Sequence, residues 1–206
     1  MRAEDIMSSP VVKVRPETPA KAATAMLAAH GFTALPVVDQ DDRLLGVVTE
    51  ADLMRDRILP DPRARIWRDR EPLPHHHSPD TVARVMSTPA TGMSRNTDAA
   101  ELAKVMLRDD IRSIPILDGA RVVGIVTRRD LLRTIARDDL AIVADVRHQL
   151  AAYASGDRWT VTVADGAVRI VDDFDDHTDR HVATVLARAV PGVQSVEVTS
   201  RVDQSV

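Results

Sequence analysis

The sequence predicts an α+β protein made of two copies of one unit followed by a smaller C-terminal domain. Short motifs recur at a spacing of 79 residues, each copy has the apolar pattern of strand, helix, strand, strand, helix, and the last third has a separate pattern of helix, strand, strand, helix, strand. With 206 residues the chain is long enough to bury cores of this kind.

The repeat is carried by three motifs. A Met-Ser-x-Pro segment at residues 7–10 recurs at 86–89, and an apolar-Pro-apolar segment at 35–37 recurs at 114–116. A third segment, at 46–52, recurs 78 residues later at 124–130. The lost residue falls in the turn between two predicted strands, where a structural repeat tolerates a deletion.

The first copy has a predicted strand at 11–14 and a helix beginning at Thr18-Pro19, with Thr as its cap and Pro in its first turn. Strands follow at 34–38 and 44–48. The second copy has a helix that begins at Thr97 and strands at 113–117 and 122–126. The predicted apolar face of this helix comprises Ala99, Leu102, Ala103 and Met106.

Each copy ends where a strand turns directly into a helix, at Thr49 and at Thr127. A helix N-terminus offers unpaired N–H groups and a positive dipole end, a Thr hydroxyl can bond a phosphate oxygen, and the carboxylates of Asp52 and Asp130 can accept from ribose hydroxyls. The recurrence predicts a paired ligand site. The alternative is that Thr only caps the helix and Asp only favours its first turn.

These motifs resemble the CBS domain, whose tandem pairs form a Bateman module. The resemblance implies β-α-β-β-α repeats at 1–58 and 80–137, a Pro-rich linker at 59–79, and two clefts for adenine nucleotides or related adenosyl ligands. It implies a non-catalytic sensor in which the nucleotide is a regulatory ligand and no cofactor is required. The implied site residues are Pro36, Gly46, Thr49 and Asp52 in the first cleft, and Arg112, Ile114, Pro115, Gly124, Thr127, Arg128 and Asp130 in the second.

The two clefts are predicted to be unequal. Glu50 follows Thr49, whereas Arg128 and Arg129 follow Thr127, and Arg112 corresponds to Thr33 of the first copy. A guanidinium can bind a phosphate through two hydrogen bonds, so the second cleft is expected to bind phosphate more strongly. The alternative for these arginines is a solvated surface.

Residues 138–206 form the predicted small domain. Asp138-Asp139 begins a helix, Asp165-Gly166 forms a hairpin turn, a second helix follows, and a strand at 196–202 comes last. The predicted apolar faces comprise Leu140, Val143, Val146 and Leu150 in the first helix, and Val182, Val185, Leu186 and Ala189 in the second.

Two motifs of this domain, Gly166-x-Val168-x-Ile170 and Gly192-Val193-x-Ser195-Val196, resemble the BON domain of bacterial osmotic-stress proteins. The resemblance implies an interaction module that contacts lipid, the envelope or a protein partner. Asp172 stands where the family usually has glycine.

The net charge and its distribution indicate which classes of partner the protein can bind. The net charge of −4 argues against a general nucleic-acid surface; residues 139–206 carry −5 and the residues before them +1. The carboxylates around the second half of this domain are Asp172, Asp173, Asp175, Asp176 and Asp179. Such a cluster repels anionic headgroups, so a protein partner is expected rather than strong binding to anionic membranes.

The sequence gives less support to an enzyme, a membrane-spanning protein or a metal-binding protein. Cysteine is absent, no common catalytic motif occurs, and no run approaches the length of a spanning helix, so a cytoplasmic protein without enzyme activity is expected. His75-His76-His77 is interpreted as a solvated loop rather than a metal site. Apolar helix faces with Leu53, Met54, Leu131 and Leu132 predict a homodimer. The alternative function is a stress-response dimerisation module without a small ligand.

Overall fold

The computed structural model describes residues 1–55, 57–58, 61, 81–154, 158–174 and 176–201. Trp67 and the His75-His76-His77 segment of the predicted linker, together with Asp175 and Val202, lie outside the described residues. The described helices are α1 (Ala20–His30), α2 (Glu50–Met54), α3 (Ala99–Arg108), α4 (Arg128–Ile135), α5 (Asp139–Tyr153) and α6 (His177–Ala189). The described strands are β1 (Ala34–Val38), β2 (Leu44–Thr49), β3 (Met93–Ser94), β4 (Ser113–Asp118), β5 (Arg121–Thr127), β6 (Trp159–Ala164), β7 (Ala167–Asp172) and β8 (Ser195–Ser200). None of these helices is long and apolar enough to cross a membrane.

The chain forms two compact units that cut across the repeat. The N-terminal unit comprises Ser8–Ser94 and Arg112–Ile125, and the C-terminal unit comprises Met1–Met7, Arg95–Ile111 and Val126–Val206. Within the N-terminal unit, the Val82 amide of the second repeat donates to the Thr18 carbonyl of the first repeat at 2.9 Å. Within the C-terminal unit, the Ala3 amide of the first repeat donates to the Thr97 carbonyl of the second repeat at 2.8 Å. Each repeat therefore binds the leading segment of the other.

The N-terminal unit contains the antiparallel pair β1 and β2, in which Leu35 lies opposite Val48. Of the strand predicted at 11–14, only Val14 pairs, in a parallel bridge to Val37. The core combines the strand residues with one face of α1, and its members are Val14, Ala20, Ala23, Leu27, Leu35, Val37, Val48, Leu53 and Val82.

The predicted caps of α1 and α3 are each one residue early, whereas those at Thr49, Thr127 and Asp138 are confirmed. The N-cap of α1 is Pro19, because the Thr18 hydroxyl instead accepts from the Arg15 amide at 3.0 Å and closes the preceding turn. The N-cap of α3 is Asp98, whose carboxylate accepts from the Ala100 amide at 2.7 Å. The buried face of α3 is formed by Ala99, Leu102, Val105 and Met106, so Val105 takes the place expected for Ala103.

The C-terminal residues contain the predicted order of helix, strand, strand, helix, strand, with sheet order β6-β7-β8. β6 and β7 form an antiparallel hairpin, and β7 pairs in parallel with β8. The hairpin turn has positive φ at Asp165 (50°) and Gly166 (75°), as a primed two-residue turn requires. The carboxylate of Asp139 fastens this turn to the start of α5 by accepting from both turn amides, at 2.8 and 3.0 Å.

The predicted apolar faces of α5 and α6 are partly wrong. α5 buries Ile142, Val146 and Leu150, whereas Leu140 is 79% exposed because it lies about 200° around the helix from Ile142. In α6 the buried residues are Ala183 and Ala187, whose small side chains let the helix lie close to the sheet. Val185 and Ala189, both predicted to be buried, are exposed.

The predicted carboxylate cluster is not a free anionic surface. Asp172 is fully buried and accepts two bonds of 2.6 Å from Arg158, which also pairs with Asp179 at 2.6 Å. Hydrogen bonds from the Tyr153 hydroxyl and from Arg158 lower the pKa of Asp179, and the bond to Asp172 raises the pKa of Arg158. Asp173 pairs with Arg201 at 3.1 Å, and Asp176 caps α6.

Candidate functional site

The first strand-to-helix junction is closed by a reciprocal capping box. Thr49 is the N-cap of α2, and its amide and hydroxyl donate to the same Asp52 carboxylate oxygen at 2.9 and 2.7 Å. The Asp52 amide donates back to the Thr49 hydroxyl at 3.2 Å. Two of the unpaired donors of a helix N-terminus are satisfied in this way.

The second junction has the same arrangement. The Thr127 amide and hydroxyl donate to Asp130 Oδ2 at 2.8 and 2.7 Å, and the Asp130 amide returns a bond of 3.3 Å. The other oxygen, Oδ1, lies 3.6 Å from the largely exposed guanidinium of Arg133. The capping role weighed from the sequence is therefore present in both repeats, and in the second repeat it leaves Asp130 Oδ1 with acceptor capacity.

Gly46 has a packing role. A Cβ atom at this position would lie 2.9 Å from the Ser87 carbonyl oxygen and 3.0 Å from the Met86 sulfur. The close approach allows Val47 and Ser87 to exchange two backbone hydrogen bonds, at 3.2 and 2.9 Å. This glycine admits the crossing Met-Ser-x-Pro segment, and the ligand role implied by the resemblance is not needed to explain it.

Arg112 lies beside a hydroxyl contact that the sequence did not predict. The hydroxyls of Ser113 and Thr33 are 3.1 Å apart, and the Thr33 carbonyl accepts from the Glu50 amide at the start of α2 at 3.2 Å. Arg112 is exposed and precedes Ser113, so within the N-terminal unit its backbone lies near the first junction. Thr33 and Arg112 occupy equivalent positions of the two repeats, but this equivalence does not by itself predict the contact.

The remaining predicted apolar and glycine residues are buried in strands. Pro36 lies in β1 opposite Val47, and Ile114 and Pro115 lie in β4. Gly124 is buried in β5. These residues shape the strands that lead to the junctions.

The Arg128 side chain is hydrogen-bonded to other parts of the fold. Its guanidinium donates to the Ile111 and Met106 carbonyls at 3.0 and 2.8 Å and pairs with Asp110 at 2.8 Å. It therefore binds one carbonyl in the last turn of α3, at Met106, and one in the loop that follows the helix, at Ile111. The adjacent Arg129 is exposed. Of the two arginines at this junction, Arg129 is the better placed to meet a phosphate.

A separate cavity of about 430 Å³ lies in the C-terminal unit, between the first residues of the chain and the C-terminal domain. Its lining includes Asp5, Asp145, His148 and Gln149, and none of these residues was predicted to bind a ligand. Among the residues that the structure describes, no group of three His, Asp or Glu side chains is arranged to hold a metal ion.

The chain contains two strand-helix repeats. Each repeat has a Thr/Asp capping box at its last strand-to-helix junction, and each binds the leading segment of the other. This arrangement is that of a CBS-type pair. The CBS domain family matches residues 3–58 and 82–137, and the chain belongs to this family.

One curated relative is the uncharacterized protein MJ1404 of Methanocaldococcus jannaschii, which is 30% identical over 132 residues. The match covers 64% of this chain and 31% of that protein, so the chain spans about a third of the relative's length.

Two solved structures resemble the described fold. The CBS domain pair of protein MJ0100, in complex with 5′-methylthioadenosine and S-adenosyl-L-methionine, has a TM-score of 0.53 at 24% identity and covers 65% of this chain and 94% of that one. CBSX2 in complex with AMP has a TM-score of 0.52 at 23% identity and covers 64% and 93%. At these identities the likeness shows the fold.

Proposed function

We propose that this protein is a non-catalytic sensor that binds an adenine nucleotide or a related adenosyl ligand at its strand-to-helix junctions. The observation that carries the proposal is the recurrence of one capping box, Thr49 with Asp52 and Thr127 with Asp130, in a CBS pair. Two CBS pairs of similar fold hold AMP or S-adenosylmethionine, which supports this ligand class.

The second junction is the better candidate for phosphate recognition. The first turn of α4 offers N–H groups and the dipole end, Thr127 offers a hydroxyl, and Asp130 Oδ1 suits a ribose hydroxyl. Arg129 adds an exposed positive charge beside them. At the first junction Glu50 instead brings a negative charge to the start of α2.

A panel of AMP, ADP, ATP and S-adenosylmethionine tests the proposal by thermal unfolding. A ligand that binds only the folded state adds RT ln(1 + [L]/Kd), about 2.7 kcal/mol at 100 times Kd. We expect at least one ligand to raise the melting temperature and to be recovered unchanged. Flat melting curves across the panel would favour the dimerisation module without a ligand, and turnover would favour an enzyme.

We propose that the protein forms a homodimer through exposed apolar side chains of its helices. Leu53 is buried, so it was wrongly assigned to the exposed face, and Leu131 is half-buried. Met54 is 55% exposed and Leu132 is 64% exposed, and side chains of this kind suit a symmetric homodimer.

We expect Leu132→Glu to shift the protein toward the monomer, because a carboxylate would be buried in the proposed contact. Light scattering at micromolar concentration measures the mass. Val185→Glu, at a 54% exposed position of α6, is the control and should leave the mass unchanged. A wild-type mass near 22.6 kDa would contradict the dimer.

We further propose that the C-terminal domain is a BON-like interaction module in a cytoplasmic protein. Its element order supports the resemblance, and the pair of Asp172 with Arg158 accounts for the departure from the usual glycine. Most carboxylates of the described cluster are paired or cap a helix, so the expectation of weak binding to anionic membranes now rests on the net charge of −5 over residues 139–206. A protein partner remains the favoured class.

A further inference from the structure

The last turn of α4 is fastened to the C-terminal domain, while its first turn carries the second capping box. The helix has eight residues, so these two ends lie about 12 Å apart. The Thr134 hydroxyl donates to the Asp130 carbonyl at 3.0 Å, which joins the residue of the capping box to the last turn. The Arg128 bonds to the Met106 and Ile111 carbonyls hold the first turn as well.

The end of α4 is joined to the C-terminal domain by two contacts. One is a clamp formed by Arg137 with Pro191 and Asp145, and the other is a close backbone contact at Gly192. Arg137 donates from Nη1 to the Pro191 carbonyl at 2.8 Å and from Nη2 to Asp145 at 2.6 Å. Gly192 has φ +94°, and a Cβ atom there would lie 2.9 Å from Ile142 Cδ1 and 3.2 Å from the Thr134 carbonyl oxygen. The loop after α6 therefore packs closely against the end of α4 and the side chain of Ile142.

Ligand binding at the second junction would change the bonds of the capping box. The Thr127 hydroxyl donates its single proton to Asp130 Oδ2 at 2.7 Å, so a phosphate oxygen that takes this proton breaks the bond. The first turn of α4 must then readjust. Because the helix is short and held at both ends, we expect the readjustment to reach its last turn, next to Arg137 and Gly192.

We propose that the C-terminal domain, through the clamp of Arg137 with Pro191 and Asp145, regulates the nucleotide site at Thr127 and Asp130. This inference rests on the proposed nucleotide function. The docked domain favours the closed capping box, so it opposes ligand binding, and the ligand in turn loosens the docking. Linkage makes the two effects equal in free energy.

The test compares AMP, or S-adenosylmethionine if that is what the wild type binds, on full-length variants by titration calorimetry. Arg137→Ala removes both clamp bonds and should tighten binding about fivefold or more, the lower end of common coupling strengths. Asp145→Asn weakens one clamp bond and should act in the same direction with a smaller effect. Arg169→Ala is the matched control, because it removes an exposed pair with Glu197 at 3.1 Å on the sheet and should leave the affinity unchanged.

Hydrogen exchange gives a second readout on the wild type. The ligand should speed amide exchange in the peptide around Pro191 and Val193, whose amide donates to the Val190 carbonyl at 3.3 Å. An affinity that is unchanged or weaker in both clamp variants, or a loop whose exchange does not respond, would overturn the regulation while leaving nucleotide binding intact. Failure of the wild type to bind any of AMP, ADP, ATP and S-adenosylmethionine would instead remove the proposed function and the regulation with it.

Discussion

Replacing Arg158 with alanine is expected to destabilise the C-terminal domain by about 3–5 kcal/mol, the usual cost of leaving a buried charge without its partner. Asp172 is 0% exposed, and both of its carboxylate oxygens accept from Arg158 at 2.6 Å. The guanidinium also lies 4.5 Å from the Trp159 ring centroid and 5.0 Å from that of Phe174, so its removal also loses packing.

Hydrogen exchange of β7 and β8, which reports the opening of this sheet, measures the effect. Arg169→Ala is the control, because its exposed pair with Glu197 should contribute no more than about 1 kcal/mol. The double variant Arg158→Leu/Asp172→Leu should recover part of the loss, since no charge is then left buried. A loss from Arg158→Ala as small as that from Arg169→Ala would show that Asp172 finds another partner or water.

Strand positions followed from the sequence because local signals agree there. The predicted strands at 34–38 and 44–48 match β1 and β2 to within one residue, since apolar runs end at a polar turn on each side. Asp165-Gly166 was found as the hairpin turn because few residue pairs adopt positive φ at both positions.

Helix faces and caps were harder to predict. The face of α6 is set by Ala183 and Ala187, whose small size matters only once the sheet beneath them is known. The N-cap of α3 was assigned to Thr97, but the N-cap is Asp98. Both side chains can cap a helix, and which of them does so depends on the preceding backbone.

The local capping arrangement of the candidate site followed from the sequence, whereas its contacts with distant residues did not. Both Thr and Asp pairs were identified, because a capping box is local in sequence. The engagement of Arg128 by α3 and the burial of Asp172 by Arg158 join distant parts of the chain, so a charge count treated both groups as free. The exchanged leading segments are also non-local, and the repeat pattern alone does not reveal which copy holds which segment.

The second large effect is expected for Asp130→Ala. At an AMP concentration 100 times the wild-type Kd, ligand binding should stabilise the wild type by about 2.7 kcal/mol, and most of this gain should disappear in the variant. The lost carboxylate would supply both the acceptor for a ribose hydroxyl and the capping-box contact with the Thr127 amide. Without ligand the variant should also be less stable by about 1 kcal/mol, because the first turn of α4 loses its cap.

The loss of a cap must be separated from the loss of a ligand contact. Asp176→Ala serves this purpose, because the Asp176 carboxylate caps α6 through the Thr178 and Asp179 amides at 2.7 and 3.2 Å. It should lower ligand-free stability by a similar amount while keeping the full gain from AMP. If thermal unfolding shows that Asp130→Ala keeps the gain as Asp176→Ala does, then the box at Thr127 is only a helix cap and the nucleotide binds elsewhere. If Asp52→Ala instead removes the gain, the first junction is the nucleotide site despite the negative charge of Glu50.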